Sequence, residues 1–123
     1  MEQKHVVVVD DESAFRAMLR KTLETAGYRV SEARNTLDVF SLGAYDLMLL
    51  DIQLPGIDGH KVLAALKKDG PGAPPVIVMT GLSDPGHRTQ ALEEGADYFM
   101  TKPLNLELLV AKIAELLARA PSQ

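Results

Sequence analysis

Hydrophobic positions in this chain follow two rhythms. Three short runs are continuous: Val6-Val7-Val8-Val9, Leu47-Met48-Leu49-Leu50 and Val76-Ile77-Val78-Met79. A continuous apolar run of this length, bounded by polar or turn residues, reads as a strand buried on both faces. Tyr28 to Ala33, with Val30 as its best core residue, and Asp97 to Thr101 read as weaker strands. Between the strands the apolar residues recur at helical spacing. The first such stretch carries Phe15, Met18, Leu19, Thr22, Leu23 and Ala26 and stops at Gly27. A short second one, capped by Asn35, carries Leu37, Val39, Phe40 and Leu42, with Phe40 its expected anchor, and ends at Gly43. A third runs from an Asp58 cap through Lys68 with Val62, Leu63 and Leu66 inward; a fourth opens at Ser83-Asp84-Pro85 and closes at Gly95. The last has Leu106, Leu109, Val110, Ile113, Leu116 and Leu117 on one face. Pro55-Gly56-Ile57-Asp58-Gly59 and Gly70-Pro71-Gly72-Ala73-Pro74-Pro75 read as loops.

Strand and helix alternate five times. That order predicts an α/β fold, a doubly wound (βα)5 unit whose five-stranded parallel sheet carries helices on both faces, flavodoxin-like, with right-handed crossovers. The 123 residues suit one domain over 1–123, with the last few residues a tail or the start of a linker. A net charge of −4 argues against direct nucleic-acid binding by this segment, which calls for a basic face. With no cysteine there is neither a disulfide framework nor a thiolate metal site. No apolar run approaches the roughly 20 residues of a membrane span, and the polar start leads directly into a strand, so no membrane association and a cytoplasmic location are expected.

Candidate chemistry gathers where the strands end. Asp10-Asp11 follows the first run, Asp51 closes the central one, Thr80 closes the next, and Lys102 follows the last. In a parallel sheet these ends share one edge, the one at which open α/β sheets bind ligands. Three crowded carboxylates repel, and oxygen-only ligands favour a hard divalent ion, Mg²⁺. A cation, an ammonium and a hydroxyl around one carboxylate suit phosphoryl transfer, with Asp51 as the nucleophile that becomes an aspartyl phosphate. Each residue taken singly has a plainer reading. Asp10 and Asp11 read equally as caps of the first helix, Asp51 as a turn residue, Thr80 as a strand-end hydroxyl, and Lys102 as a surface lysine. Phe99 reads at least equally as ordinary core. His5, His60 and His87 show no metal spacing and read as surface residues; Glu93-Glu94 and Lys67-Lys68 read as solvated faces.

The ordered set Asp10-Asp11, Asp51, Leu54-Pro55-Gly56-Ile57-Asp58-Gly59, Thr80 and Lys102-Pro103 resembles the receiver domain of two-component response regulators, over essentially the whole chain from Val6 to Leu117. The resemblance implies a phosphoacceptor signalling module that catalyses only its own phosphorylation and dephosphorylation. Asp51 accepts the phosphoryl group of a sensor histidine kinase or phosphotransfer protein. Asp11, Asp51 and the backbone carbonyl of Gln53 hold Mg²⁺, with Asp10 helping directly or through water. Thr80 and Lys102 bind phosphoryl oxygens, and Phe99 is the switch aromatic. The altered surface meets a downstream target or output domain, or a second copy through the 85–117 face. Two departures stand out. Phe99 lacks the hydroxyl of the Tyr that the family often has there, and the helix from Asn35 to Leu42 is about one turn short. Leu82, apolar on the path of attacking water, predicts slow self-dephosphorylation.

Two rival readings differ in kind. An Mg²⁺-dependent aspartate-nucleophile phosphohydrolase wants a second acid two residues past the nucleophile, where Gln53 stands and cannot act as a base. A flavodoxin-like nucleotide module wants a Gly-rich loop after the first strand, where Asp10-Asp11 stands.

Overall fold

The computed structural model of the protein describes residues 3–54, 58–68, 70–81 and 85–119. Among these the chain forms strands β1 (His5–Val9), β2 (Arg29–Ala33), β3 (Leu47–Asp51), β4 (Val76–Thr80) and β5 (Tyr98–Thr101), and helices α1 (Ser13–Thr25), α2 (Gly59–Leu66), α3 (Pro85–Glu93) and α4 (Leu106–Arg119). The strands pair in parallel in the order β2-β1-β3-β4-β5. The order reverses between β1 and β3, so the carboxyl ends of these two strands flank the crevice at the topological switch point.

Continuous apolar runs become central strands because both faces are covered. β1, β3 and β4 are buried at every position. Alternation then deals their side chains to two cores. Val6, Val8, Leu47, Leu49, Ile77 and Met79 meet Leu19 and Leu23 of α1 and Leu109, Ile113 and Leu116 of α4. Val7, Val9, Met48, Leu50, Val76 and Val78 meet Val62 and Leu63 of α2, Ala91 of α3, and Phe99. Tyr98 packs with the first cluster and Phe99 lies in the second, so neighbours on β5 face opposite ways.

Two glycines are required by geometry. Gly27 ends α1 at φ 101°, left-handed backbone that suits glycine. Gly59 begins α2 so close to β3 that a Cβ there would stand 2.5 Å from the Cα of Ile52. Asp58 caps α2, its carboxylate accepting from the His60 amide at 2.9 Å.

The second covering element differs from expectation. Residues Thr36–Ser41 form a 3-10 helix, capped as anticipated by Asn35, whose Oδ1 accepts from the Asp38 amide at 3.0 Å. At three residues per turn Val39 points to the core, while Phe40 and Leu37 are exposed, so Phe40 is not the anchor. In α1 Met18 is exposed and Arg16 is buried in its stead. A short 3-10 turn occupies Gly70–Gly72 within the expected loop. Among the described residues no helix is long and apolar enough to cross a membrane. The Pro55-Gly56-Ile57 part of the loop after Asp51, the Ser83-Asp84 opening of α3, and Leu82 lie outside the described residues.

Candidate functional site at the carboxyl edge of the sheet

Asp10 sits one residue past β1 and Asp51 is the last residue of β3, so both occupy the crevice where the strand order reverses. Both are buried. A single ammonium serves them: Lys102 Nζ donates to Asp10 Oδ2 at 2.6 Å and to Asp51 Oδ2 at 2.9 Å. The remaining carboxylate oxygens are held by backbone, with the Glu12 amide donating to Asp10 Oδ1 and the Gln53 amide to Asp51 Oδ1. Lys102 is brought there by β5, which pairs with β4, and its own amide donates to the Thr80 carbonyl at 2.9 Å. The Lys102–Pro103 peptide is cis.

One positive charge against two buried negative ones leaves the edge acidic. Burial holds the Asp51 carboxyl above its ordinary value, against the Gln53 amide and Lys102, which favour its ionised form. Burial also works against the Lys102 ammonium, but its hydrogen bonds to Asp10 and Asp51 outweigh it and raise the lysine above its ordinary value. The charge distribution is therefore poised for one more cation beside Asp51.

The other residues named from the sequence fall around this core. Thr80 is fully buried and its hydroxyl donates to Gln53 Oε1 at 3.0 Å, placing the residue two past Asp51 directly against the strand-end hydroxyl. Asp11 is exposed beside Asp10. Among the described residues no group of three or more His, Asp or Glu side chains is placed to hold a metal ion. Lys102 stands between Asp10 and Asp51. The donor chemistry nonetheless fits Mg²⁺, which takes one or two carboxylates and keeps several waters. Phe99 is buried at the start of the neighbouring surface, with the Arg88 guanidinium 6.0 Å from its ring.

Two contributors were not singled out from the sequence. Phe15, in the first turn of α1, lies under the Lys102 ammonium, 4.3 Å from its ring centre, a cation–π contact that fixes the side chain's direction. Arg16 donates to the Asp10 carbonyl at 2.7 Å and to Glu32 at 2.8 Å, tying the Asp10 loop to α1 and β2. Helical spacing marks Phe15 as inward but not Arg16, and only the fold shows what either meets.

Several bland assignments need correction. His5 and His60 are buried and His87 is half-buried, so the three histidines are not surface residues. His5 bridges the Ala44 carbonyl and the Ser31 hydroxyl, and His60 bonds Glu94. Lys67 is no solvated charge either; it donates to Asp97 at 2.8 Å and to the Pro74 carbonyl.

A family model described as the response regulator receiver domain matches residues 6–114. Among curated proteins the chain is similar to the transcriptional regulatory protein ResD of Bacillus subtilis, 36% identical over 118 residues, covering 94% of this chain and 48% of that protein. Among solved structures it is similar to a CheY-like response regulator receiver domain protein from Methanospirillum hungatei, with TM-score 0.88, 31% identity and 97% of each chain covered. It is also similar to a BeF3-activated DrrB receiver domain, with TM-score 0.87, 30% identity, and 96% of this chain and 100% of that one covered. The chain spans about half the length of the curated relatives it matches.

Proposed function

Since the chain belongs to the response regulator receiver domains of two-component systems and has a phosphoacceptor signalling role, we propose that Asp51 is its phosphoacceptor, served by Lys102, Thr80 and the acidic pair Asp10-Asp11. The observation that carries this assignment is the single Lys102 ammonium bonded to both Asp10 and Asp51 at the point where the strand order reverses.

Asp51 is held for attack by two fixed donors, the Gln53 amide on one oxygen and Lys102 on the other. Its carboxylate oxygen forms the new P–O bond as the donor's bond to phosphorus breaks and its electron pair leaves with the donor, a phosphohistidine of a sensor kinase or phosphotransfer protein. Lys102 exchanges part of its contact with Asp51 for a phosphoryl oxygen, which costs little because Asp10 retains it. Thr80 turns its hydroxyl from Gln53 Oε1 to another phosphoryl oxygen. Asp11, Asp51 and the Gln53 carbonyl, with Asp10 directly or through water, would hold Mg²⁺, which would supply neutralising charge to the phosphoryl oxygens. The chain catalyses its own phosphorylation and dephosphorylation and turns over no other substrate. Thr80's movement draws the segment after β4 inward, and Phe99 follows into the space released. The response leaves through the 85–117 surface, to a downstream target, an output domain or a second copy, in the cytoplasm.

The test is direct. Incubation with acetyl phosphate and Mg²⁺ is expected to add one phosphoryl group to the intact mass, and Asp51→Asn is expected to add none. Equal gain by Asp51→Asn, or no gain by the unaltered chain, contradicts the assignment.

A further inference from the structure

The Lys102 ammonium serves two states in turn. Before transfer it neutralises Asp51, and after transfer it holds a phosphoryl oxygen. Its flexible four-carbon stem does not by itself keep the charge aimed between them. The backbone end is fixed, the Lys102 amide donating to the Thr80 carbonyl at 2.9 Å. The charged end is fixed by Asp10 Oδ2 at 2.6 Å and Asp51 Oδ2 at 2.9 Å. Of these two carboxylates only Asp10 keeps its full bond through the exchange. One hydrogen bond leaves an ammonium, with three N–H donors, free to turn about it.

The first turn of α1 supplies a further anchor. The Phe15 ring centre lies 4.3 Å from Lys102 Nζ, inside the roughly 6 Å over which an aromatic face attracts a cation. The ring is half-buried and packs on the cluster that contains Leu19, Met100 and Leu109, so its place is set by the core. The lysine side chain is only 24% exposed, so water competes weakly with the ring for the charge. Lys112 lies 4.5 Å from the Tyr98 ring, but that ammonium donates to Glu115 and touches neither Asp10 nor Asp51. Resting on the reading of Asp51 as phosphoacceptor, we propose that Phe15 is a positioning residue for phosphoryl transfer, its ring face holding the Lys102 ammonium over the acidic edge while one contact passes from Asp51 to a phosphoryl oxygen.

The ring takes no part in bond making or breaking. Its effect is to keep the charge within reach of the transferring group, where a small misplacement slows reaction sharply. The rate then depends on the electron density of the ring face. A residue that only filled the core beside α1 would make the rate depend on side-chain volume instead.

The test is a series of chains carrying mono-, di- and trifluorinated phenylalanine at position 15, phosphorylated by acetyl phosphate with Mg²⁺ and followed by intact mass. Fluorine draws electron density from the ring face with little change in size. Initial rates are expected to fall at each step, to about a tenth for the trifluorinated ring, while the thermal midpoints stay together. Phe15→Leu is expected to fall as far, and Phe15→Tyr, which keeps an electron-rich face, to hold the unaltered rate. A second readout needs no phosphorylation: the ring is expected to shift the proton signal of the Lys102 ε-methylene upfield, in Asp51→Asn as in the unaltered chain, and Phe15→Leu to abolish the shift. Rates indifferent to fluorination, or no upfield shift, overturn this proposal and leave the Asp51 assignment standing. An unaltered chain that shows the shift but gains no phosphoryl group overturns the phosphoacceptor reading, and the role of Phe15 in transfer with it.

Discussion

Two lysine–aspartate clusters sit at opposite edges of one sheet, and their charge counts differ. At the amino-terminal edge Lys67 bonds Asp97 at 2.8 Å, and the same carboxylate oxygen accepts from the Val76 amide at 2.8 Å. One ammonium meets one carboxylate, the backbone takes the rest, and the ion pair fastens α2 to the starts of β4 and β5. At the carboxyl edge one ammonium meets two buried carboxylates, with a third, exposed, beside them. A balanced pair is a clasp. An unbalanced one is costly to a fold that does nothing with it, because buried charge is tolerated only when neutralised. The contrast is a physical reason, independent of any motif, for placing the proposed site at the carboxyl edge.

The imbalance predicts unequal responses to losing the lysine. Lys102→Met leaves two carboxylates unneutralised. It is expected to slow phosphorylation by acetyl phosphate about a hundredfold and to destabilise the chain by about 2–3 kcal/mol, below the fully buried range because a quarter of the lysine side chain is exposed. Millimolar Mg²⁺ is expected to restore part of that stability, measured as the urea midpoint with and without the ion. Lys67→Met is expected to cost about 1 kcal/mol, to gain nothing from Mg²⁺ and to phosphorylate normally. Equal Mg²⁺ rescue of the two variants contradicts the distinction.

A smaller effect follows from Asp51 itself. Its carboxyl is held above the ordinary value by burial, so the folded chain keeps the proton to higher pH than the unfolded one. Stability therefore falls as pH rises from the ordinary carboxylate value through Asp51's raised one, and the loss persists above it. Asp51→Asn is expected to lack that descent and to be more stable than the unaltered chain at pH 7 without Mg²⁺. Urea unfolding across that pH window checks it. Glu32 responds oppositely. Its bond to Arg20, opposed by burial and aided by Arg16, holds its carboxyl below the ordinary value. Its contribution is present above the ordinary carboxylate value and is lost as pH falls through the lowered one. Glu32→Gln is expected to lose a few tenths of a kcal/mol at neutral pH and nothing in acid, since this pair is partly exposed.

The residues of the edge were legible because each stands at the end of an apolar run, where position in the sheet follows from position in the sequence. Asp51 closes Leu47–Leu50, and Thr80 closes Val76–Met79, whichever side chains surround them. Residues whose meaning depends on a distant element were not legible in this way. Val39 rather than Phe40 faces the core because the segment winds as a 3-10 helix, which four apolar residues in a short stretch do not reveal. His60 and Glu94 are 34 positions apart, and Lys67 and Asp97 are 30 apart, so their polar side chains looked solvated until two helices and a strand end met. Gly59 resembled a turn residue, yet the close approach of α2 to Ile52 is what requires it.

The most direct test is the place a divalent cation chooses. With Mn²⁺ as a paramagnetic substitute for Mg²⁺, titrated at substoichiometric levels, amide signals of residues 10–12 and 51–53 and of Lys102 are predicted to broaden first, those of Lys67, Val76 and Asp97 to stay sharp, and Asp51→Asn to suppress the effect. Equal broadening at both edges, or broadening at the carboxyl edge undiminished by Asp51→Asn, would contradict the account.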